Sequence, residues 1–141
     1  MDVKVKLLHE DADIPFYSKH GDACADLTCV GVKEEEHYIE YSTGVALEIP
    51  EGYLGLLFPR SSVTNKELLL KNSVGVIDSG YRGEIKVRFY PYNGYSTFKK
   101  YYIGDRIGQL LIIPYPEISY VEVEELSDTQ RGEGGFGSTG N

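Results

Sequence analysis

The sequence has no tryptophan, one methionine and two cysteines, and no run approaches the roughly 20 apolar residues that a membrane-spanning helix requires. Cys24 and Cys29 form neither a disulfide framework nor a zinc-binding pattern, so we expect two reduced, mostly buried thiols. The three histidines are scattered without metal-ligand spacing. The segment Met1–Lys4 lacks the regions of a signal peptide, which makes a cytoplasmic location our expectation and a nuclear one the alternative.

Positive charge is also scarce, because 14 Lys and Arg residues face 22 Asp and Glu residues and the formal net charge is −8. Nucleic-acid binding needs a basic surface, so we do not expect a nucleic-acid partner. Since the chain also lacks a long apolar run, we expect no membrane partner. The charge is also unfavourable for binding free polyphosphate unless a divalent cation bridges protein and ligand. A chain of 141 residues fits one domain with a packed core.

Short apolar runs separated by turn residues indicate strands along most of the chain. Val3–Leu7 alternates with a period of two, as a half-buried strand does. The other predicted strands are Asp26–Val30, His37–Tyr41, Val45–Ile49, Leu54–Phe58, Ile85–Tyr90, Ile107–Ile113 and Tyr120–Glu124. Only Ser62–Leu70 suits a short helix, with Ser61 or Ser62 as N-cap, and the charged run Lys33–Glu36 is interpreted as a solvated loop. The pattern predicts an all-β sandwich, jelly roll or barrel over residues 1–126, followed by a tail over residues 127–141.

The tail has an unusual composition, since five of the 16 glycines lie between Gly132 and Gly140. A glycine-rich terminus is commonly disordered. Closely spaced glycine amides can also cradle an anion, the Arg131 guanidinium suits a phosphate, and Phe136 offers a flat face to a ring. The residues therefore leave two alternatives, a disordered tail and a lid that orders on a phosphate-bearing ligand.

Four joins between predicted strands carry polar groups. Ala23–Asp26 brings a carboxylate to a strand, where a plain turn residue is the simplest interpretation. Arg60–Ser62 is either an ordinary helix cap or an anion site. Asp78 ends an apolar run, so it is either a hairpin residue or, if partly desolvated, a general base. In Gly104–Gln109, the final amide on a strand is usually a satisfied surface group.

In this order and spacing, the segments resemble the five motifs of the trimeric deoxyuridine triphosphatases (dUTPases), from Ala23 to Gly140. The matching stretches are Pro59-Arg-Ser-Ser62, Gly75-Val-Ile-Asp-Ser-Gly-Tyr-Arg-Gly83, Gly104-Asp-Arg-Ile107 with Gln109, and Arg131-Gly-Glu-Gly-Gly-Phe-Gly-Ser-Thr-Gly140. Three positions depart from the pattern: Cys24 replaces the usual glycine, Gly108 the usual alanine, and Gly80 a common acidic residue. None of these departures removes a functional side chain, although the replacement of glycine by Cys24 concerns the local backbone geometry and therefore the orientation of Asp26.

The resemblance implies a β jelly roll, or distorted barrel, that hydrolyses dUTP to dUMP and pyrophosphate. Such a reaction limits uracil incorporation into DNA and supplies dUMP for dTMP synthesis. By the same resemblance, Asp78 activates the water that attacks the α-phosphorus, Mg²⁺ chelates the triphosphate, and Asp26 holds the ion through its water shell. A homotrimer with sites shared between subunits is also implied.

The substrate contacts implied by the resemblance fall into four groups. The α- and β-phosphates are held by Ser61, Ser62 and Gln109, while Arg60 is either a ligand contact or a structural ion pair. The uracil edge is read by Asn72, Gly75, Ile77 and the backbone of Lys86. Tyr81 lies under the deoxyribose. In the tail, the contacts come from Arg131 at the γ-phosphate, Phe136 stacked on uracil, and the amides of Gly137 and Ser138.

Two other functions remain compatible with these motifs. One is a catalytically idle relative that acts as a binding or regulatory protein. The other is a dCTP deaminase, an enzyme of the same fold that shares an Arg-Ser-Ser motif. The deaminase is less favoured because it uses a catalytic glutamate and lacks the Phe-Gly-Ser-Thr tail.

Overall fold

The computed structural model describes residues 1–140, which form nine strands, one 3-10 helix and no α-helix. The strands are β1 (Lys4–Leu7), β2 (Ala25–Thr28), β3 (Gly31–Glu34), β4 (Ile39–Glu48), β5 (Tyr53–Phe58), β6 (Leu68–Leu70), β7 (Gly75–Ile77), β8 (Glu84–Pro91) and β9 (Arg106–Pro114). The 3-10 helix is Ser61–Asn65, between β5 and β6.

The strands form two antiparallel sheets packed face to face. One sheet has the order β1-β4-β8-β6, with β3 also paired to β4, and the other has the order β2-β9-β5-β7. Side chains of both sheets fill one core, whose largest fully buried members are Tyr41, Phe89, Leu27, Ile39, Leu68 and Ile107. The predicted all-β, jelly-roll-like fold is therefore confirmed.

Strand β8 shows why the local pattern folds in this way. Ile85, Val87 and Phe89 are buried, while Lys86 and Arg88 point to the opposite face. Successive side chains of a strand lie on opposite faces, so the alternation seen in the sequence becomes one apolar and one charged surface. The charged surface of β8 forms part of the candidate site described below.

The two predicted strands His37–Tyr41 and Val45–Ile49 are one strand, β4, interrupted by a bulge. Its register with β8 shifts between Ser42 and Ala46. Gly44 lies in the bulge with φ +66°, and a β-carbon there would lie 2.7 Å from the β-carbon of Ala12. The Gly44 amide donates to Glu84 Oε1 at 2.8 Å, so the bulge also orients a side chain at the start of β8.

The helix predicted over Ser62–Leu70 is wrong. The chain makes only one 3-10 turn there, and Leu68–Leu70 is a strand paired with Pro91, Tyr90 and Phe89 of β8. Neither Ser61 nor Ser62 is the N-cap, a position held by Arg60 without a side-chain capping bond. Burial of Leu68 in the core and pairing with β8 outweigh the local helix signal.

Two further predictions are corrected. Tyr120–Glu124 is not a strand: it pairs with no strand of residues 1–140, and Tyr120 is 93% exposed. A strand needs a partner for its backbone groups, which its own sequence cannot show. The charged run Lys33–Glu36 is not only a loop, because its first residues belong to edge strand β3, where charged side chains are common.

Both cysteines are free, as expected. Cys29 is buried, its thiol donates to the Gly31 carbonyl at 3.3 Å, and burial raises its pKa to about 11. Cys24 is half-buried, and desolvation together with the Asp26 charge raises its pKa as well. Within residues 1–140, no three His, Cys, Asp or Glu side chains cluster as metal ligands would. The same residues contain no helix that is long and apolar enough to cross a membrane.

Candidate active site

Most predicted site residues of the core lie on or next to the second sheet, while Lys86 lies on β8 of the first sheet. One row of paired residues runs from Gly75 in β7 through Leu57 and Leu110 to Ala25 in β2. Strands lie about 4.8 Å apart, so the three steps separate the two ends by roughly 14 Å. Each edge opens into a hollow, which we call the Asp26 pocket and the Tyr81 pocket.

The Asp26 pocket, with a volume of about 530 Å³, gathers the motifs around Asp26, Arg60 and Gln109. It is lined by Ser18, Lys19, Asp22, Ala23, Cys24, Asp26, Arg60, Ser61, Arg106 and Gln109. Three of these side chains are cationic and two are anionic. This pocket is therefore more positive than the strongly acidic chain as a whole, which suits it to an anion.

Asp26 is buried at the centre of this pocket, and both its carboxylate oxygens are engaged. Oδ1 accepts from Arg60 Nε at 2.7 Å, while Oδ2 accepts from Arg106 Nη1 and from the Ser18 hydroxyl, each at 2.9 Å. Charge-assisted bonds of this kind are the strong ones, and they hold both guanidinium groups in place. Arg60 thus forms an ion pair with Asp26, and both alternatives for its role, a structural ion pair and a ligand contact, stay open.

The turn after β5 is held by contacts from two directions. Gln109, paired with Asp26 across the sheet, donates through Nε2 to the Pro59 carbonyl at 2.9 Å. Ser62 Oγ lies 3.0 Å from Tyr101 Oη and 3.5 Å from Arg60 Nη1. Ser61 lines the pocket and is exposed. The turn therefore presents Ser61 to the pocket while Ser62 and Gln109 stabilise it from within.

The Tyr81 pocket, at the other edge, has a volume of about 320 Å³. It contains all five residues that the resemblance assigns to uracil and sugar, together with neighbours from β5 and β8: Leu57, Asn72, Gly75, Val76, Ile77, Tyr81, Glu84, Ile85, Lys86 and Arg88. Gly75 lies close against Leu57, since a β-carbon on it would be 3.1 Å from the Leu57 β-carbon. A side chain at position 75 would therefore be tightly packed against Leu57 unless Leu57 shifted.

Asp78 follows β7 directly and begins a tight turn, in which its carbonyl accepts from the Tyr81 amide at 3.0 Å. Its side chain is exposed. The expected partial desolvation is therefore absent in the single chain, because no neighbouring element covers this edge of the sheet. The Asp78 carboxylate is instead open to water.

The Tyr81 ring lies over Gly83 and is fixed there by its hydroxyl, which donates to the Glu84 carbonyl at 3.0 Å. The Lys86 side chain forms an ion pair, in which its ammonium donates to Glu40 Oε1 at 2.9 Å. The hydrogen bond with Glu40 raises the pKa of Lys86 and, with help from Arg88, lowers the pKa of Glu40. The Lys86 side chain is therefore engaged within the protein, as half of an ion pair with Glu40.

The tail residues lie together but apart from both pockets. Arg131 Nε donates to the Gly134 carbonyl at 2.8 Å, and Arg131, Phe136, Gly137 and Ser138 line a hollow within the tail. Phe136 is fully exposed, with φ +53°. Among the described residues, no hydrogen bond joins the segment 127–140 to the core. Asn141, the last residue of the predicted lid, lies outside the described residues.

Four residues of this region were not among the predicted contacts. Arg106 stands inside the Gly104–Gln109 motif, so its motif position was an available signal. Ser18, Glu40 and Tyr101 reach the site from positions distant in sequence. Their roles depend on pairings that a local pattern does not contain.

Comparison with known proteins identifies the family. The dUTPase family model matches residues 10–140. The chain is 43% identical to a deoxyuridine 5'-triphosphate nucleotidohydrolase of Hydrogenobaculum sp. (strain Y04AAS1), over 99% of both chains. It is similar to a mutant of the Staphylococcus bacteriophage 80alpha dUTPase with dUpNHpp, at 30% identity over 99% of both chains with a TM-score of 0.85.

A third similarity concerns a metal. A mutant dUTPase from phage phi11 of S. aureus, whose structure reveals the coordination of a structural Mg(II) ion, is 29% identical with a TM-score of 0.74. The match covers 91% of this chain and 100% of that one. On the extent of these matches, the chain belongs to the dUTPase family.

Proposed function

We infer that this chain is a dUTP diphosphatase, which hydrolyses dUTP to dUMP and pyrophosphate. The observation that carries this function is the 43% identity, over 99% of both chains, to a deoxyuridine 5'-triphosphate nucleotidohydrolase. The site agrees with it, since one pocket is suited to an anion and the other offers a closely packed backbone edge to a base. The reaction limits uracil in DNA and provides dUMP.

Asp78 is the proposed general base. Its exposed carboxylate takes a proton from water as the water oxygen bonds to the α-phosphorus, and the bond from that phosphorus to the pyrophosphate oxygen breaks. A positioned base of this kind contributes roughly 10²–10⁴ in rate. Covering of Asp78 by substrate and a neighbouring subunit would supply the desolvation that the single chain lacks.

The Tyr81 pocket is the proposed base and sugar site. β7 is the last strand of its sheet, so the main-chain groups that face away from β5 are available to the edge of uracil. Cytosine presents a different donor and acceptor at that edge and would leave such groups unpaired, which can discriminate by about 10⁴. The Tyr81 ring, held over Gly83, packs under the sugar and leaves no space for a 2′-hydroxyl.

The residues around Asp26 fit Mg²⁺ only through water. An ionised carboxylate has about four lone-pair sites, and Asp26 already accepts three hydrogen bonds, so one site is left for a metal-bound water. Direct coordination is disfavoured because two guanidinium groups, those of Arg60 and Arg106, already pair with this carboxylate and repel a cation. When bound, Mg²⁺ neutralises triphosphate charge and orients the phosphates. Asp26, Arg60 and Arg106 position the phosphate side of the pocket.

A homotrimer with shared sites is part of the proposal. The separation of roughly 14 Å between the two edges of the sheet, and the detachment of the tail, support it. Pockets from different subunits, completed by the tail of residues 127–141 as a lid, would then make one site. The cytoplasmic location stays a prediction.

One experiment tests the activity against the two alternatives. Purified protein is incubated with dUTP, UTP, dTTP and dCTP, with Mg²⁺ or with a chelator, and pyrophosphate and ammonia are measured. We expect pyrophosphate from dUTP, dependent on Mg²⁺, and little from the other nucleotides. Ammonia from dCTP would indicate a deaminase, and dUTP binding without cleavage would indicate an idle relative.

A further inference from the structure

Tyr101 is a buried tyrosine that none of the dUTPase motifs includes. It lies in the connection between β8 and β9 and is only 2% exposed. Its ring packs against those of Tyr41 and Phe89, with centroids 6.1 and 5.6 Å away. Its hydroxyl extends from this aromatic cluster to the turn after β5, where it lies 3.0 Å from Ser62 Oγ.

The hydrogen-bond inventory sets the direction of this contact. Among residues 1–140, Ser62 Oγ is the one hydrogen-bond partner of the Tyr101 hydroxyl. If Ser62 donated to Tyr101, the phenolic hydrogen would be left buried without an acceptor, which is costly. Burial raises the pKa of Tyr101, so the phenol keeps its proton. Tyr101 is therefore the donor and Ser62 the acceptor.

This direction affects what Ser62 can do. Its oxygen accepts from Tyr101 and, at the longer distance of 3.5 Å, from Arg60 Nη1. Because Tyr101 is the donor in its bond to Ser62, the single O–H of Ser62 remains for another acceptor. Arg60 in turn donates to Asp26 at 2.7 Å, so one chain of bonds runs from the aromatic cluster to the centre of the Asp26 pocket.

We propose that Tyr101 is a positioning residue for phosphate binding, which orients the Ser62 hydroxyl and steadies Arg60 for the α- and β-phosphates of the substrate. The proposal rests on the proposed function, because it names a support for the same site. Tyr101 touches no substrate and acts through Ser62. The loss of its hydroxyl should weaken substrate binding and leave the chemical step alone.

Conservative variants separate this role from simple packing. Tyr101→Phe removes the hydroxyl and keeps the ring. Ser62→Ala removes the acceptor, and the double variant shows whether the two groups act together. Tyr41→Phe is the matched control: it removes a hydroxyl that is equally buried in the same cluster and donates to the Tyr101 carbonyl at 3.2 Å, without contact to Ser62.

We expect Tyr101→Phe to raise the KM for dUTP about fivefold, the size of one lost hydrogen bond, with kcat within twofold of the parent. The double variant should be no worse than Ser62→Ala alone. Tyr41→Phe should lower Tm and leave KM unchanged. Calorimetric binding of dUpNHpp should show the same pattern, and deoxyuridine, which has no phosphate, should bind all four variants alike.

A parental KM in Tyr101→Phe, or a double variant whose effect is the sum of the two single effects, would overturn the proposal. So would an equal rise in KM for Tyr41→Phe, since a general loosening of the cluster would then be sufficient. These outcomes differ from failure of the proposed function, which would appear as absent turnover in the unmodified protein. Binding of dUpNHpp does not depend on turnover, so it tests the role of Tyr101 whether or not the protein cleaves dUTP.

Discussion

The ring of Tyr81 occupies the space where Gly83 lacks a side chain. A β-carbon at position 83 would lie 2.6 Å from the ring carbon Cζ of Tyr81, closer than packed atoms approach. The backbone at Gly83 is not in the left-handed region, so glycine is favoured here by the contact with the Tyr81 ring and not by its φ angle. The position of the proposed sugar-binding ring thus depends on a missing methyl group two residues away.

Gly83→Ala is predicted to displace the Tyr81 ring and relax the selection against ribonucleotides. The ring is the flexible partner, so it should move while the backbone keeps its course. We expect the kcat/KM ratio of dUTP to UTP to fall at least tenfold, and further in Tyr81→Ala. Gly80→Ala is the control, because no atom lies within 4 Å of its β-carbon position and its φ is not positive. If the ratio of the kcat/KM values for dUTP and UTP stayed unchanged in Gly83→Ala, the position of the Tyr81 ring would not determine sugar selection.

Asp78→Asn is predicted to lower kcat by roughly 10²–10⁴, because the amide cannot take a proton from water. The exposed Asp78 side chain makes no hydrogen bond within residues 1–140, so folding and dUpNHpp affinity should stay close to those of the parent. Single-turnover kinetics and calorimetry measure the two effects separately. Asp13→Asn, another exposed aspartate, serves as control. Undiminished single-turnover rates in Asp78→Asn would rule out its role as base.

The sequence predicted those strands that a local pattern of neighbouring residues reveals. The apolar run Ile85–Tyr90 predicted a strand without knowledge of any partner, and β8 spans Glu84–Pro91. Sequence-based prediction failed where long-range pairing determines the structure. Leu68–Leu70 and Gly75–Ile77 are strands of only three residues, and their partner strands lie elsewhere in the chain. The exposed state of Asp78 likewise depends on what covers the edge of the sheet, which the chain alone does not supply.

The contacts within the candidate site could not be predicted from the motifs. Motif resemblance named Asp26 and Arg60, yet their 2.7 Å ion pair joins residues 34 positions apart. Arg106 reaches the same carboxylate from 80 positions away. Such bonds depend on sheet register, which is set by the packing of the whole core. Tyr101 was missed for the same reason, since its hydroxyl meets Ser62 across 39 positions.

Removal of residues 131–141 is predicted to abolish turnover while leaving the core folded and its assembly state unchanged. The tail donates no hydrogen bond to the core in the described chain, so Tm should shift by less than about 2 °C. Light scattering and dUTP hydrolysis check the two parts. Phe136→Ala should weaken dUpNHpp binding, whereas Phe98→Ala, a similarly exposed phenylalanine outside the tail, should not. Full activity after truncation would show that the tail is no lid.

The fourth prediction concerns acid stability and Glu40. This carboxylate is buried and hydrogen-bonded to Lys86 at 2.9 Å and to Arg88 at 2.8 Å, and these contacts lower its pKa. A carboxyl group whose pKa is lower in the folded state stabilises the fold above its unfolded pKa. That contribution disappears as the pH falls through the folded pKa.

Glu40→Gln should therefore be less stable than the parent at pH 7, and the gap between the two should narrow between about pH 5 and pH 3, where the parent loses its advantage. Denaturant unfolding at pH 7, 5, 4 and 3 measures the gap directly. Glu51→Gln, at an exposed turn position, should show no such narrowing, which isolates the buried pair from the general protonation of the acidic surface. A gap that stayed constant with pH would mean that the ionisation of Glu40 does not stabilise the fold, and that its contacts to Lys86 and Arg88 act through packing alone.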